Sequence, residues 1–404
     1  MSGGRRQPDK ITKDEVSKGK MKHVLEERSK LKKTSRTKIE DLPEGIHEIA
    51  EIDREEGMRR IEEIFRKVFV ETIKTGQPVL KVPSRSASNV IYDEASDLLL
   101  LGQNFMDRKW DDIGTVKKFT AQLRVLQIIH ELLDMNVHGS KREVFYTDVA
   151  LFEDQNRGSD PLIEDSAVML GTYRKNIHVT ANDRGLVVGR VSYMDNGDLI
   201  DCTRQGSSGK NVNPMQDHIS DLESDAEFIL VVEKQAAFLR LAEDKFYEKY
   251  PCIILTGSGQ PNVATRIFLR RMSHELQLPV MAIMDSDPYG LDILRVYGLG
   301  SKALSYESYE LATPDINWLG VRPSDLDKYN LPQNTRLPMS KMDISRAKIM
   351  MEEKFVKVRP EWVKELKIMI ETKQKAEIQA LASRGIKFFT EEYLPTKIET
   401  GDWV

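Results

Sequence analysis

Residues 227–290 read EFILVVEKQAAFLRLAEDKFYEKYPCIILTGSGQPNVATRIFLRRMSHELQLPVMAIMDSDPYG. In this stretch, short apolar runs rich in Val and Ile alternate with longer amphipathic segments, which is the pattern of strands alternating with helices. We expect strands at residues 227–232, 252–256 and 280–284, and helices at residues 234–247, 262–276 and 289–297. This alternation predicts an α/β fold built on a doubly wound parallel sheet, in which ligands bind at the carboxyl ends of the strands.

Carboxylates directly follow two of these expected strands. Glu233 ends the first strand, and Asp285 and Asp287 follow the third in the motif D-x-D-x-x-G. A single Asp at a strand end is usually a helix cap or a turn former, but all three acids on one sheet form a stronger signal. If the two strands are neighbours, the carboxylates converge and repel one another unless a cation neutralises them. We therefore predict a magnesium site, because Mg²⁺ prefers hard oxygen ligands.

The preceding region, residues 58–203, predicts a unit rich in helices. Amphipathic spacing indicates helices at residues 58–75, 116–135 and 161–173, and the capping-box form S-x-x-E predicts a short helix that begins at Ser140. Strand-like stretches, including residues 186–193, then alternate with turns. A helix-turn-helix followed by a hairpin describes a winged helix of the CAP-like type. Such a unit places a helix in the major groove of DNA in some proteins and contacts only protein in others.

Tyr146 lies on the short helix expected after Ser140. The chain holds twelve tyrosines, and most tyrosines are core or surface residues, so Tyr146 draws its interest from its context. Arg142 precedes it by four residues, which places a guanidinium and a phenol on one face of the helix. A phenol has a pKa of ~10 and needs a nearby cation to act as a nucleophile at neutral pH. Arginine also grips phosphates with two hydrogen bonds.

Several motifs together resemble one known family. They are Arg142-Glu143-Val144-Phe145-Tyr146, Val231-Val232-Glu233-Lys234, Thr256-Gly257-Ser258-Gly259-Gln260-Pro261, Asp285-Ser286-Asp287-Pro288-Tyr289-Gly290 and Lys375-Ala376-Glu377-Ile378-Gln379-Ala380-Leu381. In this order they are similar to the catalytic tyrosine motif and the Toprim domain of the topoisomerase VI A subunit and its meiotic double-strand-break relatives. The resemblance covers roughly residues 58–398.

Three positions depart from the family pattern. Ser258 stands where the family has Lys, Gln235 where an acid is common, and Asn262 where Asp is common. Loss of the Lys weakens a phosphate contact but removes no metal ligand. Asn262 still has a side-chain oxygen that can cap the following helix.

The resemblance implies the DNA-cleaving subunit of a type II topoisomerase that makes and reseals double-strand breaks through a phosphotyrosyl bond. Tyr146 would be the nucleophile and Arg142 its neighbour, with Mg²⁺ held by Glu233, Asp285 and Asp287. The expected partners are double-stranded DNA, a GHKL-type ATPase B subunit and a second copy of this chain, in a heterotetramer. The turn Gly257-Ser258-Gly259 lacks the Gly-Lys-Ser/Thr of a P-loop, so ATP hydrolysis is assigned to the partner.

Three alternatives remain open at this point. A meiotic-type protein would break DNA without resealing it. A catalytically silent module would keep the winged helix for DNA binding alone, although the complete set of Tyr146 and the three acids argues against this. A Toprim nuclease or primase would use metal alone, so Tyr146 would be dispensable.

A chain of 404 residues is about right for two domains with extensions. We expect a polar N-terminal extension at 1–57, a winged-helix domain with the tyrosine at 58–203, a linker at 204–226, and a Toprim domain with a C-terminal helical extension at 227–404. The apolar runs are too short for a membrane span, and the two cysteines support neither a disulfide framework nor a zinc site. These features favour a cytoplasmic, nucleoid-associated protein.

Residues 1–40 form a basic arm, with about twice as many Lys and Arg as Asp and Glu. Such an arm can bind DNA phosphates without sequence preference. A solvated tail or a partner-binding extension is the commoner use of such a segment.

Overall fold

The computed structural model describes residues 20–31, 43–180 and 184–404. Most of the basic arm therefore lies outside the described residues. The part that is described forms the helix Lys22–Lys30, which packs against the C-terminal helix Leu394–Thr400. Arg28 on this helix is 2.9 Å from Glu227, an ion pair that ties the segment to the α/β part of the chain.

A six-stranded sheet forms the centre of the α/β part, and it is mixed. Four strands run parallel, in the spatial order Cys252–Thr256, Phe228–Val232, Val280–Ile283 and Ile316–Gly320. Three of them match the sequence prediction, and their apolar runs are continuous because helices cover both faces of the sheet. Leu186–Gly189 pairs antiparallel with Cys252–Thr256, and the edge strand Lys210–Asn211 pairs antiparallel with Leu186–Gly189, so the prediction of a purely parallel sheet was too simple.

The strand Leu186–Gly189 was expected in the hairpin of the upstream unit, as part of residues 186–193. All four of its residues are buried, and it pairs instead with Cys252–Thr256 of the central sheet. Gly189 ends it with φ +108°, where an added Cβ would lie 2.6 Å from the carbonyl oxygen of Cys252. The chain then turns into the hairpin Ser192–Asp195 and Asp198–Asp201, which pairs with Ile219–Glu223. A winged helix is therefore not seen directly, and the domain boundaries remain predictions.

The upstream unit, predicted at residues 58–203, consists mainly of helices, and most of them lie where the amphipathic spacing predicts them. The main helices are Arg54–Thr75, Val116–Met135, Lys141–Thr147, Val149–Phe152 and Asp160–Met169. Short antiparallel pairs accompany them, Val79–Pro83 with Phe105–Lys109 and Val90–Asp93 with Leu98–Leu101, and Gly139–Ser140 pairs in parallel with Val179–Thr180. Across the three described segments of the chain, no helix is long and apolar enough to cross a membrane.

The remaining helices surround the central sheet or follow it towards the C-terminus. They are Gln235–Glu243, Phe246–Lys249, Val263–Glu275, Pro288–Leu299, Ser308–Leu311, Pro323–Lys328, Lys341–Glu352, Lys354–Lys357 and Pro360–Thr372. A small antiparallel pair joins Leu337–Pro338 to Gln374–Lys375. These elements return the chain to the edge of the sheet where its strands end.

The predicted capping box at Ser140 is confirmed. The Ser140 hydroxyl accepts a hydrogen bond from the backbone N–H of Glu143 at 3.1 Å, and the Glu143 carboxylate accepts one from the backbone N–H of Ser140 at 2.5 Å. Two of the backbone donors left free at a helix start are thereby satisfied. The helix Lys141–Thr147 therefore has a defined start although it is short.

A buried carboxylate ties this helix to the α/β part. Glu164 accepts from Lys141 Nζ at 2.5 Å, from Arg174 Nη1 at 2.7 Å and from the hydroxyl of Tyr306. Burial alone would raise the pKa of Glu164, but the two cations outweigh it and hold that pKa below the ordinary value. Because Tyr306 precedes the strand Ile316–Gly320, the first turn of the helix is anchored across both parts of the molecule.

We predict that Ser140→Ala weakens the helix Lys141–Thr147 by about 1 kcal/mol, because one capping hydrogen bond is lost. Hydrogen–deuterium exchange of the peptide that spans residues 141–147 measures the free energy of local opening. Ser207→Ala, in an exposed turn, is the matched control. Equal exchange in the two variants would show that the cap does not hold this helix.

Candidate active site

Strand register brings the acidic residues together. Val232 lies opposite Thr256 on one side and Ile283 on the other, so the three parallel strands end at the same level. Glu233 continues this register, because its backbone N–H donates to the carbonyl of Ile283 at 3.0 Å. Its side-chain Oε2 in turn accepts from the backbone N–H of Asp285 at 2.8 Å. The strands that carry the two acids are thus neighbours, which is the condition that the sequence argument required.

Both carboxylates are largely shielded from solvent, Glu233 being 8% exposed and Asp285 5% exposed. Burial, with the nearby charges of Asp285 and Asp287, raises the pKa of Glu233 to about 7. Burial also raises the pKa of Asp285, although its ion pair with Lys234 opposes the shift. The charged forms of these groups are therefore costly where they stand, and a bound cation would offset that cost.

Asp287 serves as a helix cap in this structure. Its Oδ1 accepts from the backbone N–H of Gly290 at 2.7 Å, at the start of the helix Pro288–Leu299. Its charge acts on Glu233, yet no group of three His, Cys, Asp or Glu side chains within residues 20–31, 43–180 and 184–404 is arranged to hold a metal ion. The structure therefore brings Glu233 and Asp285 together and leaves Asp287 beside them, turned towards its helix.

Tyr146 lies on the short helix Lys141–Thr147 and is 60% exposed. The guanidinium carbon of Arg142 lies 5.7 Å from the centre of its ring, and the ring of Phe145 lies at 5.3 Å. The expected pairing of Arg142 with Tyr146 on one helix face is thus present. In the part of the chain that the structure describes, no hydrogen bond links Tyr146 to Glu233, Asp285 or Asp287.

The turn Gly257-Ser258-Gly259 closes one side of the acidic edge. The backbone N–H of Gly259 donates to the carbonyl of Glu233 at 2.8 Å, and Ser258 adopts a left-handed conformation with φ +54°. The Ser258 hydroxyl donates to the backbone carbonyl of Arg184 at 3.2 Å. Asn262 caps the helix Val263–Glu275 through the N–H of Thr265 at 2.8 Å, as expected.

The C-terminal motif contacts the acidic edge, a role that sequence reasoning did not give it. Ser286 and Ala376 exchange backbone hydrogen bonds, and the N–H of Ile378 donates to Oδ1 of Asp285 at 2.8 Å. Lys234 Nζ lies 2.8 Å from Asp285 Oδ2 and 2.9 Å from Glu377. The only sequence signal for these residues was their presence in the shared motifs, because contacts over such separations follow from the tertiary fold.

Two family comparisons match the parts of the chain that hold Tyr146 and the three acids. The family model for the Toprim domain of the topoisomerase 6 A subunit and Spo11 matches residues 228–398, which include the acidic edge. The model described as Type IIB DNA topoisomerase matches residues 117–179, which include Tyr146. The class that these matches define is the type IIB DNA topoisomerases.

Relatives narrow this class. The DNA topoisomerase 6 A subunit of Arabidopsis thaliana is 54% identical over 323 residues, which cover 80% of this chain and 75% of that protein. The type 2 DNA topoisomerase 6 A subunit of Aeropyrum pernix is 35% identical over 380 residues, covering 88% and 98%. Meiotic recombination protein SPO11 of Mus musculus is 33% identical over 371 residues, covering 90% and 92%. The chain belongs to the family of the topoisomerase 6 A subunit and Spo11, as the motifs predicted.

Proposed function

We propose that this chain, the DNA-cleaving subunit of a type IIB topoisomerase, opens and reseals duplex DNA through Tyr146. The observation that carries the proposal is an exposed tyrosine with an arginine at its ring, on a capped helix, in a chain that also holds paired acids at a sheet edge. The family supplies the class of reaction. The named residues supply its chemistry.

Tyr146 acts as the nucleophile in this proposal. Its oxygen attacks a backbone phosphorus, the phenol loses its proton, and the bond from phosphorus to one deoxyribose oxygen breaks as that oxygen gains a proton. Arg142 provides positive charge beside the phenol and two donors for the phosphate oxygens. Because the phosphodiester is exchanged for a phosphotyrosyl ester, the reverse reaction reseals the strand without ATP.

Glu233, Asp285 and Asp287 would hold a divalent cation, and we propose magnesium. The donor set fits, since all the side-chain ligands are carboxylate oxygens. Burial first, and then the charges of Asp285 and Asp287, raise the pKa of Glu233, and a cation would offset both effects. Asp287 would turn from the N–H of Gly290, or would act through a bound water. A cation held there supplies stabilisation of the negative charge that develops on the phosphate.

Cutting both strands of a duplex requires two tyrosines, and each chain provides one on this helix. We therefore propose a homodimer of this chain, joined to a GHKL-type ATPase B subunit in a heterotetramer. The Gly257-Ser258-Gly259 turn follows its strand without a Lys, so the chain has no phosphate-binding loop of the P-loop type there. We place the complex with the DNA, in a nucleoid or a nucleus.

The SPO11 relatives support a second candidate function, a protein that breaks DNA without resealing it. The topoisomerase interpretation is favoured by the higher identity to the Arabidopsis protein, 54% against 33%. A silent DNA-binding module and a metal-only nuclease both predict that Tyr146 is dispensable. A test for resealing distinguishes the topoisomerase from the break-forming protein. Substitution of Tyr146 distinguishes the topoisomerase from the silent module and from the metal-only nuclease.

We predict that Tyr146→Phe abolishes covalent protein–DNA adducts while DNA binding and the melting temperature stay unchanged, because only an exposed hydroxyl is removed. Adducts are measured on gels after denaturation. Tyr289→Phe is the matched control, since Tyr289 is the other strongly exposed tyrosine among the described residues. Adducts that persist in Tyr146→Phe and vanish in Tyr289→Phe would transfer the role.

We predict that Glu233→Gln and Asp285→Asn each lower cleavage more than about tenfold, because even outer partners of metal ligands contribute ~10–100-fold. Thermal melts should stay near wild type, since repulsion between the remaining acids also falls. Cleavage by Asp287→Asn should recover partly with excess magnesium or manganese, because Asp287 caps its own helix and contributes least to the proposed metal site. Glu243→Gln, on an exposed helix face, is the control. Wild-type cleavage in all three variants would refute the metal site.

We predict that this chain relaxes supercoiled DNA when it is mixed with its ATPase partner, ATP and magnesium. The measurement is the distribution of topoisomers on an agarose gel, with and without the ATPase. Covalent adducts that accumulate without any relaxation would favour the break-forming alternative. A mixture that contains Tyr146→Phe controls for relaxation by contaminating enzymes.

A further inference from the structure

Lys234 directly follows Glu233 and places its ammonium within the acidic edge. Its Nζ lies 2.8 Å from Asp285 Oδ2, 2.9 Å from Glu377 Oε2 and 3.3 Å from Gln379 Oε1. The side chain of Lys234 is 26% exposed, so these three partners, and not water, make most of its polar contacts. The ammonium thus bridges the strand-end acid and the C-terminal motif.

Each carboxylate oxygen of Asp285 already has a partner, and Lys234 contacts the oxygen that the backbone leaves free. Oδ1 accepts from the backbone N–H of Ile378 at 2.8 Å, which fixes the carboxylate. Oδ2 faces the ammonium. A divalent cation coordinated by Oδ2 would stand close to a positive charge in a shielded site, where like charges repel strongly. The ammonium and the cation therefore compete for the same oxygen.

Glu377 offers the Lys234 ammonium a second carboxylate partner. Its side chain is 53% exposed and already contacts Lys234, so the lysine can give up Asp285 and keep an ion pair. Asp285 and Glu377 lie at nearly equal distances from the ammonium, so Lys234 can form an ion pair with either of them.

We propose that Lys234 is a built-in counter-ion of the acidic edge: it neutralises Asp285 while no divalent cation is bound, and it moves onto Glu377 when one binds. Lys234 is then a positioning residue that lowers the affinity of the site for metal. This inference rests on the proposed metal site.

The test is Mn²⁺ binding by the full chain after chelator treatment, with free Mn²⁺ followed by electron paramagnetic resonance. Lys234→Met keeps the length of the side chain and removes its charge, and we expect Mn²⁺ to bind about tenfold more tightly or better, because a competing charge is gone. Lys234→Arg retains a positive charge and should show no such gain. Damage to the fold would weaken binding, so a gain cannot come from a structural defect.

Glu377→Gln supplies the coupled measurement. It removes the second carboxylate partner, so Mn²⁺ should bind more weakly than in the wild type, whereas the same change made in Lys234→Met should have a much smaller effect. Such non-additivity is expected where two residues act through one contact. Equal effects of Glu377→Gln in both backgrounds would overturn the proposed movement.

Asp285→Asn separates this inference from the metal site itself. If Asp285→Asn loses Mn²⁺ and Lys234→Met binds it no more tightly than the wild type, the counter-ion role is overturned and the site stands. If Asp285→Asn binds Mn²⁺ as well as the wild type does, both the site and the counter-ion role are overturned.

Discussion

Parallel pairing of the strand Phe228–Val232 with both of its neighbours is the interaction on which the acidic edge depends. Because Phe228–Val232 pairs in register with Cys252–Thr256 and with Val280–Ile283, all three strands end at the same level of the sheet. Glu233 and Asp285 then stand side by side, although 52 positions separate them along the chain. A shift of one residue in either pairing would turn the following side chains to the opposite face of the sheet. These strands are buried and apolar except for Thr256, and they resist such a shift because every residue in them packs on one face or the other.

Charge balance is the second constraint at this edge. Burial disfavours the ionised form of Glu233 and Asp285, while Lys234 and the N–H of Ile378 favour the ionised form of Asp285. The C-terminal motif therefore contributes to the site through backbone and side chain alike. The helix that carries Tyr146 has its own balance of charges, since the Glu164 carboxylate pairs with Lys141 and Arg174. Glu164 also accepts a hydrogen bond from Tyr306, which connects this helix to the α/β part.

Sequence reasoning worked where a local pattern determines the structure. The capping box at Ser140, the cap at Asn262 and the apolar strands of the sheet all depend on residues a few positions apart. It was less successful with Leu186–Gly189, whose short apolar run fits a hairpin and a sheet edge equally well. Its true partner, Cys252–Thr256, lies more than sixty residues away in the chain, and pairing across such a distance leaves no local signal.

The sequence by itself determined the alternation of strands and helices, the positions of Glu233, Asp285 and Asp287 at strand ends, the shared helix face of Arg142 and Tyr146, and the family. These follow from periodicity and from motifs, which are properties of neighbouring residues. Only the tertiary structure decided that Leu186–Gly189 belongs to the central sheet and that Lys234 and Glu377 meet at Asp285. The physical reason is that a charge finds its partner through the packing of distant segments, and burial, which sets the strength of that pairing, exists only once the chain has folded.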